Sequence, residues 1–157
     1  MQVMQGYWNK PEKTEESIVS VRGRGGGWFR SGDIATLDTD GYISIVDRVK
    51  DIIIRGGENV SCSEVEDVLS NHHAVVECAV FGLKDARLGE RVAACIVLSS
   101  EHSAEEFSQF CVESGKLARF KIPLTQDIFF WKKTPQLPRG ATGKILKRVV
   151  RDHYNNG

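Results

Sequence analysis

Neither sign of charge predominates in this sequence: 21 lysines and arginines are matched by 21 aspartates and glutamates across 157 residues. That balance removes any chain-wide attraction to nucleic acid or to an anionic membrane, so binding of a nucleotide needs a local site. Long apolar runs are missing as well, and none approaches the ~20 residues that cross a bilayer. The opening MQVMQGYWNKPEKT has neither a basic nor an apolar segment and does not read as a secretory signal. Cysteine is sparse, with four residues (Cys62, Cys78, Cys95 and Cys111) and no C-x-x-C pair. All but Cys62 lie in apolar runs, where a free thiol acts as a small hydrophobe. Reduced, buried cysteine in a cytoplasmic protein is therefore expected rather than disulfides. His72 and His73 have no metal-ligand partner at a useful spacing and read as polar residues at a helix end. No metal site is expected, and no Ser-His-Asp or Cys-His order stands out.

What is present is a regular alternation of short elements. The first 26 residues are polar, with Pro11 and a glycine cluster at Gly23, Gly25, Gly26 and Gly27, and SIVSVRG as a short edge strand. GWFRSGDIATLDTDGYISIVDR reads as two short strands around the turn DTDG, where Gly41 supplies a positive φ. DIIIRGGENV is an apolar strand entering a glycine turn. SCSEVEDVLSNH starts a helix that Ser61 or Ser63 can cap, with Val65, Val68 and Leu69 as its buried stripe. VVECAVFGL and RVAACIVLSS are strands joined by the polar loop KDARLGE. SAEEFSQFCVESGKLARF is a helix with Ser103 at its cap and Glu106 placed for a capping box. DIFFWKK is a third core strand, and GKILKRVVRDHY closes as a helix with Ile145, Leu146, Val149 and Val150 inward. The pattern predicts an α+β fold: a small three-stranded sheet flanked by helices, preceded by a short β-hairpin segment.

Three stretches carry candidate chemistry. QLPRGATGKILKRVVRD holds half of a phosphate loop, but a Walker loop needs glycine where Pro138 stands and Ser or Thr where Ile145 stands. Lys144 is then either a solvated lysine at a helix start or a cation meant to meet an anion from elsewhere. A cation opposes the dipole at a helix N-terminus, which suits the second role. In GWFRSGD, Asp33 follows Gly32 and either sits in an ordinary turn or offers its carboxylate to two ribose hydroxyls. In DRVKDIIIRGGENV, Arg48 and Lys50 are surface charges or site residues, and Gly56-Gly57 makes a turn or a backbone path close to a ligand.

In this order, GYWNKPEKT, GWFRSGD, DGYISIVDRVKDIIIRGGENVSCSEVE, VFGLKDARLGERVAA, FKIP and LPRGATGKILKR resemble the C-terminal portion of the adenylate-forming enzymes. That superfamily comprises acyl- and aryl-CoA ligases, luciferases and peptide-synthetase adenylation domains. The resemblance runs from about Gly6 to Asp152, and GGENV followed by EVE is similar to fatty-acyl, medium-chain and aryl-CoA ligases. It implies a small lid domain (50–157) preceded by the tail of an N-terminal domain (1–49). It also implies a reaction of a carboxylic acid, ATP with Mg²⁺, and CoA, giving acyl-CoA, AMP and pyrophosphate. On the same resemblance Asp33 binds the ribose hydroxyls, Arg48 adds a contact near the ribose, and Lys50 is the hinge. Lys144 reaches the α-phosphate and the substrate carboxylate. Gly56, Gly57 and Glu58 line the pantetheine tunnel, and Phe120 and Lys121 lie near the CoA nucleotide. Two departures touch the CoA contacts: Ser61-Cys62 stand where the family commonly has Tyr-Pro, and Ile122 stands where some members have a basic residue. The family's phosphate loop and acyl pocket have no counterpart here. The chain is thus expected to be a fragment, inactive alone, whose partner is the N-terminal domain of the same enzyme. A free-standing, non-catalytic interaction or regulatory module is the alternative, and the lysine's setting also suits acetylation.

Overall fold

Two neighbouring strands fill the middle of the chain with apolar residues of both parities, a pattern that suits strands covered on both faces. In the computed structural model, which describes residues 3–22 and 24–155, these are β7 (Val75–Asp85) and β8 (Gly89–Leu98). They pair antiparallel from Val75↔Leu98 to Asp85↔Gly89, with a register shift between Val75 and Glu77. Because side chains alternate across a strand, the ladder sorts them into two cores. Cys78, Val80, Val92, Ala94 and Ile96 enter one; Ala79, Phe81, Leu83, Ala93, Cys95 and Val97 enter the other.

The chain divides into two units, Met1–Lys50 and Asp51–Gly157. The first holds α1 (Pro11–Ser17), with proline in its first turn, and two antiparallel hairpins. These are β1 (Ile18–Val21) with β2 (Arg24–Phe29), and β3 (Asp33–Leu37) with β4 (Ile43–Arg48). Trp28 and Phe29 thus belong to β2 rather than to the strand before DTDG. That turn forms as expected, with Asp38 Oδ1 accepting from the N–H groups of Asp40 and Tyr42, and Gly41 at φ +88°. Of the amino-terminal glycines, Gly23 lies outside the described residues.

In the second unit, β5 (Ile52–Arg55) and β6 (Glu58–Ser61) form a hairpin that joins β8 at Arg55↔Gly89. The short β9 (Ile128–Phe130) runs parallel to β8 farther along. The three strands expected from the sequence are present as β7, β8 and β9, and the hairpin extends the sheet to five. The return strand β6 carries no periodic signal because only Val60 of its four residues is buried.

Ser61 is the residue that caps α2 (Cys62–Ser70), and Val65, Val68 and Leu69 are buried as expected. The capping box of Ser103 and Glu106 opens α3 (Ala104–Glu113), which buries Phe107 and Cys111. This helix stops well short of Phe120, since Gly115 takes φ +63°, a left-handed conformation that ends helices. The polar loop between β7 and β8 shortens to residues 86–88, because the ladder continues through Lys84↔Glu90. The last helix, α4 (Lys147–Asn155), begins later than expected, as Ile145 is held in a bridge to Arg139. Only Val150 of its four expected inward residues is buried; Ile145 is half-buried, and Leu146 and Val149 are exposed. Tyr154 completes the packing by stacking on Phe129 at 4.2 Å between ring centroids. All four cysteines are free and buried. His72, at the end of α2, packs edge-on against Phe107 and Phe110.

Phe107 is fully buried in the core formed by α2, α3 and the sheet. Phe107→Ala is expected to destabilise the chain by about 3–5 kcal/mol, read from urea unfolding midpoints at an unchanged slope.

Candidate functional site

The candidate groups fall into separate sets. In the first unit, Asp33 opens β3 and Arg48 ends β4, and the two are direct cross-strand partners. Arg48 Nε donates to Asp33 Oδ1 at 2.8 Å, and Asp33 N–H donates to Ser31 Oγ at 3.2 Å. Gly32, at φ +75°, turns the chain into β3, and its carbonyl accepts from Val49 N–H at 2.9 Å. Local geometry thus holds a carboxylate and a guanidinium side by side. Lys50 lies in the single 3₁₀ turn Val49–Asp51 and is the last residue of the first unit.

In the second unit, Gly56 (φ +60°) and Gly57 (φ +89°) are the two-residue loop between Arg55 and Glu58. Positive φ at both central positions is the demand of a tight primed hairpin turn, which glycine meets without strain. Gly56 N–H donates to Leu88 O at 2.7 Å, fixing the turn to the β7–β8 connection. No atom lies within 4 Å of a Cβ built on Gly57, so one side of the loop is open. Arg55 Nη1 donates to Phe120 O at 2.5 Å, tying Phe120 to the base of this hairpin. Lys121 Nζ reaches both oxygens of Glu64, at 2.8 and 2.6 Å, so its charge is matched within the fold.

Lys144 follows Gly143 (φ +79°) on the segment leading into α4. Gly140 N–H donates to Lys144 O and Gly143 N–H to Gly140 O, each at 2.9 Å, and Leu146 N–H donates to Pro138 O at 2.7 Å. The Lys144 side chain is exposed, and among the described residues it makes no ion pair or hydrogen bond. The lysine does not begin the helix, which starts three residues later; it stands on the turn that precedes it.

Two charged pairs hold this turn and the start of the helix after it: sequence reasoning gave Glu66 only a place in the first turn of α2, and it passed over Glu77, Arg139 and Lys147. Glu77 on β7 accepts from Leu137 N–H at 2.9 Å through Oε2 and from the Arg139 guanidinium through Oε1. Lys147 Nζ pairs with Glu66 Oε1 at 2.8 Å, and the same oxygen takes the Val80 N–H on the open edge of β7. A lone glutamate inside the apolar run VVECAVFGL was the available signal for Glu77. Burial opposes the charge of Glu77, but the Leu137 N–H and the Arg139 guanidinium outweigh it and hold the carboxyl below its ordinary value. Burial also opposes the charge of Lys147, and the Glu66 carboxylate more than offsets this, raising its pKa.

The second unit is an α+β domain that presents, at separate places, an exposed lysine on an anchored turn and a double-glycine hairpin. The chain belongs to the family of AMP-binding enzyme C-terminal domains, whose model matches residues 64–144. It is 48% identical over 152 residues to the mitochondrial medium-chain acyl-CoA ligase ACSF2 of Mus musculus, covering 96% of this chain and 23% of that protein. It is 41% identical over 154 residues to the long-chain-fatty-acid–CoA ligase FadD13 of Mycobacterium tuberculosis, covering 98% of this chain and 28% of that protein. The crystal structure of ATP-bound MatB from Rhodopseudomonas palustris superposes with a TM-score of 0.80 at 34% identity, over 97% of this chain and 28% of that one. The chain therefore spans about a quarter of the length of the relatives it matches.

Glu77 gives a pH signature. Its folded pKa lies below the ordinary 4.5, so its stabilisation is complete above that value and is lost as pH falls through the lower folded value. Below pH 4.5 the melting temperature should fall more steeply in the wild type than in Glu77→Gln. Parallel profiles would contradict the assignment.

Proposed function

We propose that this chain is the C-terminal part of an AMP-forming acyl-CoA ligase, which joins a carboxylic acid to CoA at the expense of ATP. The observation that carries the reading is Lys144: an exposed cation with no partner among the described residues, on a turn fixed at both ends. In this reading the large N-terminal domain of the same enzyme supplies the acid pocket and most of the ATP site. Residues 1–49 are the end of that domain, residues 50–157 are the lid, and Lys50 is the hinge. The relatives are ligases, which favours this over a free-standing interaction module.

During adenylation a carboxylate oxygen attacks the α-phosphorus and pyrophosphate leaves. Negative charge gathers on the phosphoryl oxygens, and Lys144 acts there as a fixed cation, aligning the carboxylate with the α-phosphate. Asp33 accepts hydrogen bonds from the ribose hydroxyls, with Arg48 holding the carboxylate in orientation and adding a contact near the ribose. In the second half-reaction the open side of Gly56 and Gly57, with Glu58, borders the path of the pantetheine thiol. Phe120 lies beside that path through Arg55; Lys121 would reach a CoA phosphate only by leaving Glu64. Magnesium belongs with the nucleotide phosphates and the N-terminal domain. Among the described residues no group of three His, Cys, Asp or Glu side chains is placed to hold a metal. Among the described residues no helix is long and apolar enough to cross a membrane. The four free, buried thiols favour a reducing, cytoplasmic setting.

In the full-length ligase, Lys144→Ala is expected to slow adenylation by ~10²-fold or more, while thioester formation from a preformed acyl-adenylate largely survives. Equal losses in both steps would overturn the role given to Lys144. The chain alone should release no appreciable pyrophosphate from ATP and a fatty acid, because groups are needed on both sides of the substrate. Robust release would show that it needs no other domain.

A further inference from the structure

Backbone bonds close the turn that carries Lys144, but its residues have little packing around them. Residues 139 and 141–144 are exposed, and Gly143 is in a left-handed conformation. A side-chain brace to the sheet is added through Arg139. One arm of that guanidinium, Nη2, binds Glu77 Oε1; the other, Nη1, donates to Gly143 O at 2.6 Å, the carbonyl immediately before Lys144. The backbone of Arg139 also bridges to Ile145, immediately after Lys144. Glu77 is itself held, since its second oxygen takes the Leu137 N–H, and its side chain is only 13% exposed.

We propose that Glu77 is a positioning residue for Lys144, acting through Arg139. The guanidinium is planar with a rigid fork of donors, so fixing one arm on Glu77 fixes the direction of the other. The Gly143 carbonyl is thereby held in place, and with it the start of the lysine. A cation that stabilises a developing charge is effective only if it is held in place beforehand. A displacement of ~1 Å in such a group can cost ~10²-fold in rate. The contacts that stabilise the Glu77 carboxylate in the fold thus also orient the turn. Glu66 and Lys147 anchor the start of α4 separately, so loss of Glu77 leaves the helix attached.

The inference rests on the adenylation role of Lys144, and its test separates the two. In the full-length ligase, Glu77→Gln retains an oxygen for the Leu137 N–H but loses the charge that holds Arg139. Pyrophosphate release and thioester formation from a preformed acyl-adenylate are measured for Glu77→Gln, Glu77→Asp, Lys144→Ala and the double variant Glu77→Gln/Lys144→Ala. Adenylation kcat is expected to fall ~10–100-fold in Glu77→Gln, with thioester formation within about threefold of wild type. Glu77→Asp should recover part of the loss, and Glu77→Gln should add nothing once Lys144 is alanine. Undiminished adenylation, equal loss in both steps, or a further loss on the Lys144→Ala background would each overturn the positioning role. If Lys144→Ala leaves adenylation intact, the role of Lys144 falls and this inference with it. If Lys144→Ala is crippled and Glu77→Gln is not, only this inference falls. Should Glu77→Gln fail to fold, Arg139→Gln cuts the same link from an exposed side chain, with the same step-selective loss expected.

Discussion

The antiparallel ladder between β7 and β8 is the constraint on which the second unit depends. Its register decides which side chains face α2 and α3 and which face α4. A slip of one residue would exchange the two sets and turn Glu77 away from Leu137 and Arg139. The irregularity between Val75 and Glu77 sits at the start of this ladder, leaving Val76 exposed and Glu77 on the same parity as Ala79 and Phe81. Packing and charge placement are therefore one problem here. The pairing that buries Phe81 against Tyr154 also aims the carboxylate that holds the Lys144 turn.

The zero net charge conceals a division of labour among the cations. Arg48 and Lys121 each have a carboxylate beside them, as do Arg139 and Lys147. These pairs join segments distant in sequence: Glu66 to Lys147 across 81 residues, Glu77 to Arg139 across 62. Lys144 is placed differently, among bonds that fix its backbone and leave its side chain to the solvent. In the proposed ligase its counter-charge is the substrate. The glycines of the turn set the backbone path, its own backbone bonds close it, and neighbouring carboxylates brace it against the sheet.

Much of this was legible in the sequence, for local reasons. The capping box at Ser103 and Glu106, the Val65, Val68 and Leu69 stripe, the glycine pair, and the apolar strands β7 and β8 all announce themselves within a few residues. The ordered motifs sufficed to indicate the family. What escaped depends on contacts made across the chain. The β6 strand has no pattern of its own and forms because β5 and β8 give it a place. The register of α4 was misread because Ile145 pairs with Arg139 instead of entering the helix, which leaves Leu146 and Val149 outside. Glu66 looks like an ordinary acid in a helix's first turn, and Glu77 is marked only by its apolar neighbours; their partners, dozens of residues away, are not legible locally.

The central claim is that Lys144 meets the substrate's anionic groups directly, and lysine footprinting of the full-length ligase tests it most directly. The enzyme is briefly acetylated with an amine-selective reagent, alone and in the presence of a non-hydrolysable acyl-adenylate analogue, and each lysine is quantified by mass spectrometry. The account predicts that the analogue strongly protects Lys144 while exposed Lys132 and Lys133 react as before. Equal labelling of Lys144 with and without the analogue would contradict it.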